Sequence, residues 1–178
     1  MDKVVGLGRF GCLIAEQLTS YPEYRVYKID SDITERGSLS IGKHADMEEY
    51  ENCIDDQEIT VYLRSIKTGD EVLIITEGGE PISGSLLRIL ATIKDAKVSV
   101  LYVCPDREIS SEIQKRDDKI CFNVLQQYAR SGAIQTVYLM NKSSIEALVG
   151  EVSIQEYEKS MSYFVSYVLA MVNYFNHT

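Results

Sequence analysis

Glu71–Thr76 (EVLIIT) is a near-continuous apolar run, and Lys97–Val103 (KVSVLYV) reads as a second strand of the same kind. Strands with this character are of the kind buried on both faces, as in a parallel sheet covered by helices on each side. The rest of the chain supplies those helices in alternation. Lys3–Leu7 is a short strand, followed by helical spacing from Gly11 to Leu18. Pro22 marks a turn before a strand over Tyr24–Ile29, and Asp30–Asp56 is acidic loop with a short strand near Leu39–Ile41. Helical spacing returns over Gln57–Ile66, Leu86–Ile93 and Ile113–Tyr128, with a strand at Thr136–Met140 and a long helix over Ile154–Phe175. The expected product is a single α/β domain over residues 1–178: three-layer, doubly wound, mostly parallel and Rossmann-like. In such sheets ligands bind beyond the carboxyl ends of the strands.

Charge and cysteine usage narrow the partners. The net charge of −9, with no basic run, argues against nucleic acid and anionic membrane surfaces. The apolar stretch Met161–Phe175 is short for a membrane span and reads as a buried helix. Cys12, Cys53, Cys104 and Cys121 are widely separated without CxxC spacing, and read as small buried hydrophobes in a reducing, cytoplasmic setting. His44 and His177 are too isolated for a zinc site, so no metal is expected.

Gly6-Leu7-Gly8-Arg9-Phe10-Gly11 fits GxGxxG between a strand and a helix. Glycines permit close backbone approach, and the N–H groups at a helix start attract phosphate. Asp30 ends the second strand where an acid would hold a ribose. GLGRFG followed by A-E-Q-L resembles the potassium-transport regulatory domains, which implies NAD. A third reading is a tight strand-to-helix turn with no ligand.

A second glycine loop, Glu77–Ser85 (EGGEPISGS), favours a different family. Ile75-Thr76 and Ser83-Gly84-Ser85 match the strand end and the T-G-T part of the GGGTGTG loop of the tubulin/FtsZ GTPases. Val98–Pro105 resembles that family's V-x-x-P strand end, and Phe122–Leu125 resembles its Y-N-A-T-L region. Tyr138–Ile145 looks like its strand, Asn and following helix, and Ile29–Asp32 is similar to the N-T-D of FtsZ. Tyr157 begins a long helix where the family stacks an aromatic on guanine. The resemblance covers nearly the whole chain in order. It implies a GTP site at Gly6, Gly8, Gly11, Asp30, Ser83, Gly84, Ser85, Asn141 and Tyr157.

The site is also eroded. Arg9 and Phe10 replace glycines, and Glu80, Pro81 and Ile82 stand in place of the triple glycine. A carboxylate repels phosphate, and Pro removes an N–H donor. Gly42–Ile54 has no counterpart of the glycine-rich stretch that reaches the γ-phosphate. Met161 stands about where the family reads the guanine edge, and a thioether cannot do so comparably. Asn141 has a second reading as a strand-to-helix cap, and Tyr157 as core packing. Only Asn176, His177 and Thr178 follow Phe175, so the resemblance implies that the water-activating loop and the second domain are absent.

The expectation is a pseudo-GTPase with no resident cofactor: a structural or assembly protein, in a filament or a viral particle. Its location would be the cytoplasm, the host cytoplasm or the particle itself. The long helix is apolar on several faces, so a protein partner or a second copy is expected on Tyr163, Tyr167, Met171 and Tyr174. The alternative is tyrosines that tolerate water, and, for function, a small regulatory domain that binds GTP or NAD. A dehydrogenase is not expected, because the reading gives neither a second domain for a substrate nor a His or Lys proton donor.

Overall fold

The computed structural model describes residues 1–176; His177 and Thr178 lie outside them, so the reading of His177 is not addressed. Strands are β1 (Lys3–Leu7), β2 (Arg25–Asp30), β3 (Leu39–Ser40), β4 (Glu71–Glu77), β5 (Lys97–Cys104) and β6 (Thr136–Asn141). Helices are α1 (Gly8–Leu18), α2 (Met47–Asn52), α3 (Asp56–Tyr62), α4 (Leu86–Thr92), α5 (Glu112–Ser131), α6 (Lys142–Val149) and α7 (Tyr157–Asn176). A 3-10 turn over Pro81–Ser85 leads into α4. The strands form one sheet in the order β3-β2-β1-β4-β5-β6, and every pairing is parallel.

Side chains of the central strands alternate between two cores, because successive residues of a strand point to opposite faces. Val72 and Ile74 of β4 join Ile59, Leu86, Ile89, Cys121 and Leu125 on one face. Leu73 and Ile75 join Phe10, Ile14, Ile145, Met161 and Val165 on the other. The layers are therefore α2–α5, the sheet, and α1 with α6 and α7. Both runs that suggested two-sided burial, in β4 and β5, are central strands.

Local chemistry accounts for the helix ends. Ser111 and Gln114 form a reciprocal capping box at the start of α5, and Gly132 closes it in a left-handed conformation. Asp46 caps α2 by accepting from the Glu49 amide, and the Glu49 side chain accepts from the amide of Ala45, the residue before the cap. That helix lies within the segment expected to be loop. Its six residues bury only Tyr50, too little for an apolar period to show. Helix α3 stops at Tyr62 instead of Ile66, because the chain tightens into i to i+3 bonds such as Ile66 N–H to the Leu63 carbonyl.

Helix α7 begins at Tyr157, three residues later than periodicity suggested, after a turn in which the Glu156 amide donates to the Ser153 carbonyl. Helix α6 follows β6 without a break, as the resemblance implied. Among the described residues no helix is long and apolar enough to cross a membrane.

All four cysteines are free; Cys12 and Cys121 are buried, whereas Cys104 is half-buried and Cys53 is exposed. Cys53 thus departs from the buried reading, because α2 ends just before it and leaves it at the surface.

Because Ile89 and Met161 belong to opposite cores, truncating either to Ala should cost about 2–5 kcal/mol. The double variant should be additive to within about 0.5 kcal/mol. Urea unfolding of the two single variants and the double variant measures both quantities.

Candidate functional site

The sheet changes winding direction between β1 and β4: β1 leads outward to β2 and β3, and β4 to β5 and β6. A crevice opens at the carboxyl ends of strands at such a point. Register pairs Leu7 with Thr76, so the turn into α1 and the loop after β4 lie side by side there.

The three glycines of the first loop serve packing. A Cβ on Gly6 would lie 2.5 Å from the Gly11 carbonyl oxygen and 2.8 Å from Ala15 Cβ. A Cβ on Gly11 would collide with the Ile75 carbonyl oxygen of β4. These two positions let α1 descend onto the sheet. Gly8 has φ +76°, and a Cβ there would lie 2.5 Å from Glu80 Oε2 and 2.9 Å from Ile82 Cγ2. The floor of the crevice at Gly8 is thus occupied by Glu80 and Ile82.

Charges gather around this contact. Lys142 Nζ, from the first residue of α6, donates to Glu77 Oε1 at 2.7 Å and lies 4.8 Å from the Phe10 ring centroid. Arg9 donates to Glu158 of α7 at 2.6 Å. Asp30 ends β2, and its Oδ1 accepts from the Ser31 amide at 2.7 Å. Glu80 Oε2 is buried and has no hydrogen-bond partner. Burial, reinforced by the charges of Glu77 and Asp30, pushes the Glu80 carboxyl up to about 7, with Lys142 and Arg9 opposing. Burial dominates because no donor reaches the oxygen.

The second loop is folded inward. Ser83 Oγ donates to the Glu80 carbonyl at 2.7 Å, and Ser85 Oγ donates to the Ile82 carbonyl at 2.7 Å. Both serines are buried, and a Cβ on Gly84 would collide with the Met47 carbonyl oxygen of α2. Ser83, Gly84 and Ser85 therefore face the 3-10 turn and α2, while Gly6, Gly8, Gly11 and Asp30 gather at the crevice. Gly78 also admits no side chain, because Tyr102 Oη and Asp118 Oδ1 occupy its Cβ position.

Asn141 sits at the β6–α6 junction, exposed, with no side-chain cap on the helix. It borders a polar recess of ≈ 520 Å³ shared with Cys104–Glu108 and Ser143. Tyr157 is half-buried against the α1–α7 core, and Met161 is fully buried in it. On the outer side of α7, Tyr163 is 61% exposed, Tyr167 49%, Met171 42% and Tyr174 66%.

Sequence reasoning singled out Glu80 as a departure but not its contact with Gly8. It missed Lys142 altogether, since nothing local indicates that α6 would aim its first side chain at the end of β4.

A parallel sheet in this order, with helices on both faces, is a doubly wound Rossmann-like fold, and solved structures narrow it to the tubulin/FtsZ-like form. CetZ2 from Haloferax volcanii, in a GTPγS-bound protofilament, is similar at TM-score 0.76 and 17% identity, over 97% of this chain and 58% of that one. TubZ of Clostridium botulinum phage c-st, with its C-terminal tail truncated, gives 0.71 and 13%, over 94% and 59%. FtsZ of M. jannaschii, as an empty dimer, gives 0.72 and 14%, over 92% and 51%. The likeness is one of fold, and this chain spans between about half and three-fifths of those chains. No family model matches the sequence, and no curated protein does.

The raised Glu80 carboxyl has a defined pH consequence. Folding favours its protonated form, so its contribution is present below the ordinary value of 4.5 and lost as pH rises through about 7. Glu80→Gln should therefore be more stable than the parent at pH 8 by about 1–3 kcal/mol. The gain should vanish towards pH 4. Urea unfolding at pH 8, 6 and 4 measures it.

Proposed function

We propose that this chain is a non-catalytic assembly module on a tubulin/FtsZ-like fold, working through protein–protein contacts in a filament or larger particle, cellular or viral. The observation that carries this reading is the outer face of α7. Tyr163, Tyr167 and Met171 are uncharged, large and exposed on one helix of an otherwise acidic protein. Interface cores are enriched in Tyr and Met and depleted of charge, which also lets two acidic molecules meet there without repulsion.

Two of the similar structures are described as a protofilament and a dimer, which supports a second copy of this chain as the partner. The crevice supports the non-catalytic part. Phosphoryl transfer depends on positioning and on positive electrostatics around phosphate. Here the contact at Gly8 is made by a carboxylate and an isoleucine, and Ser83 and Ser85 bond their own turn. Four free cysteines fit work in a reducing compartment such as the cytoplasm.

One observation favours a second reading, a nucleotide-binding regulatory domain. The recess beside Asn141 is open, and CetZ2 is described as GTPγS-bound. Calorimetric titration with GTP and with NADH separates the two, since micromolar binding of either would favour the regulatory reading.

For the assembly reading, light scattering after gel filtration should show species larger than the 20.1 kDa monomer. The double substitution Tyr163→Asp and Tyr167→Asp should return the protein to monomer while leaving its far-UV circular dichroism unchanged. A parent that stays monomeric at high concentration would rule out self-association. GTP turnover above the buffer rate, abolished by Lys142→Ala, would rule out the non-catalytic part.

A further inference from the structure

The start of α1 has the features of an anion seat. It is the N-terminus of an 11-residue helix that follows a glycine turn, with no acidic residue in its first turn and no side-chain cap. Helix starts of this kind attract phosphate and carboxylate groups through their free N–H groups and the helix dipole. A carboxylate of the chain itself is already beside it, pressed against Gly8.

We propose that Glu80 is a built-in plug of this seat, an autoinhibitory contact that keeps phosphate-bearing ligands out of the crevice. The inference rests on the reading of the crevice as non-catalytic and is independent of what α7 docks.

Three features make Glu80 a fixed occupant instead of a wandering surface side chain. Its backbone is pinned, since its carbonyl accepts from both the amide and the hydroxyl of Ser83, and Pro81 follows as the first residue of the 3-10 turn. Its Oε2 is buried without a hydrogen-bond partner. Ile82 lies beside it over the same glycine, so the space is filled by volume as well as by charge.

The surroundings reinforce exclusion. Glu77, Asp30 and Glu158 add three carboxylates to that of Glu80, against the cations Arg9 and Lys142. Each cation is already engaged, Arg9 by Glu158 and Lys142 by Glu77. An arriving phosphate would have to displace Glu80 and compete with a carboxylate for either cation. Removing the Glu80 side chain leaves the helix start, Arg9, Lys142 and Ile82 in place and takes the carboxylate away from Gly8. The electrostatic part of the exclusion at Gly8 thus resides in one side chain.

The test is calorimetric titration of the full chain with inorganic pyrophosphate at pH 8, using the parent, Glu80→Ala and Glu80→Gln. Glu23→Gln, at the opposite end of the sheet, controls for the loss of one negative charge. The parent and the control should bind with Kd no tighter than about 1 mM. Glu80→Ala should bind at least about tenfold tighter, and Glu80→Gln should show a smaller gain because it removes charge but keeps bulk.

The proposal is overturned if the parent binds as tightly as Glu80→Ala, or if both variants remain folded and neither gains. If Glu80→Ala fails to fold, the isosteric Glu80→Gln decides alone. A gain in Glu23→Gln equal to that of the Glu80 variants would assign the effect to net charge and overturn it as well. Failure here leaves assembly through α7 standing. Failure of the Tyr163 and Tyr167 variants to disperse the protein leaves the pyrophosphate result standing.

Discussion

The contact on which the rest of the site depends is the descent of α1 onto β1 and β4. Gly6 and Gly11 face one another across that contact, and Gly11 lies against the Ile75 carbonyl of the neighbouring strand. Any side chain at either position would force the helix outward, because backbone atoms cannot yield as a flexible side chain can. With α1 this close, its first residue reaches the switch in strand order, and the loop after β4 must cross directly over it. The same approach buries Phe10 and Ile14 in the core shared with α7. A pair of glycines thus sets both the depth of the crevice and the seat of the longest apolar helix.

The crevice and the outer face of α7 are linked by the ion pair between Arg9 and Glu158, which joins the start of α1 to the start of α7. Lys142 joins the start of α6 to the end of β4 in the same way, and with much less solvent around it. Pairs of the exposed kind contribute little by themselves. Their meaning is geometric. Three helix starts converge on one end of the sheet, and the two cations among them, Arg9 of α1 and Lys142 of α6, are held by Glu158 of α7 and Glu77 of β4. A fold whose general plan suits an anionic ligand is arranged here to satisfy its charges internally.

Much of this was legible in the sequence. Apolar runs in β4 and β5 announced two-sided burial, the glycine spacing placed the first turn, and the order of motifs pointed to the tubulin/FtsZ-like fold. What escaped had physical reasons. Helix α2 buries one residue, so its signature lies in the cap formed by Asp46 and Glu49 and not in any apolar period. Ser83, Gly84 and Ser85 look like a phosphate cradle in a string of letters, yet a 3-10 turn points both hydroxyls at local carbonyls and lays Gly84 beneath Met47. Tyr157 and Met161 belong to the core shared by α1 and α7, where packing and recognition call for the same residue types.

By itself the sequence determined the class of fold, the position of the glycine turn and the presence of an acidic residue where glycine was expected, because those follow from local pattern and steric demand. Only the tertiary structure decided that Glu80 lies against Gly8, that Lys142 closes on Glu77, and that Tyr163, Tyr167 and Met171 face outward. Each of those outcomes depends on elements far apart in the chain meeting at one end of a sheet. A helix period can mark a residue as apolar, but it cannot say which side its neighbours will leave uncovered.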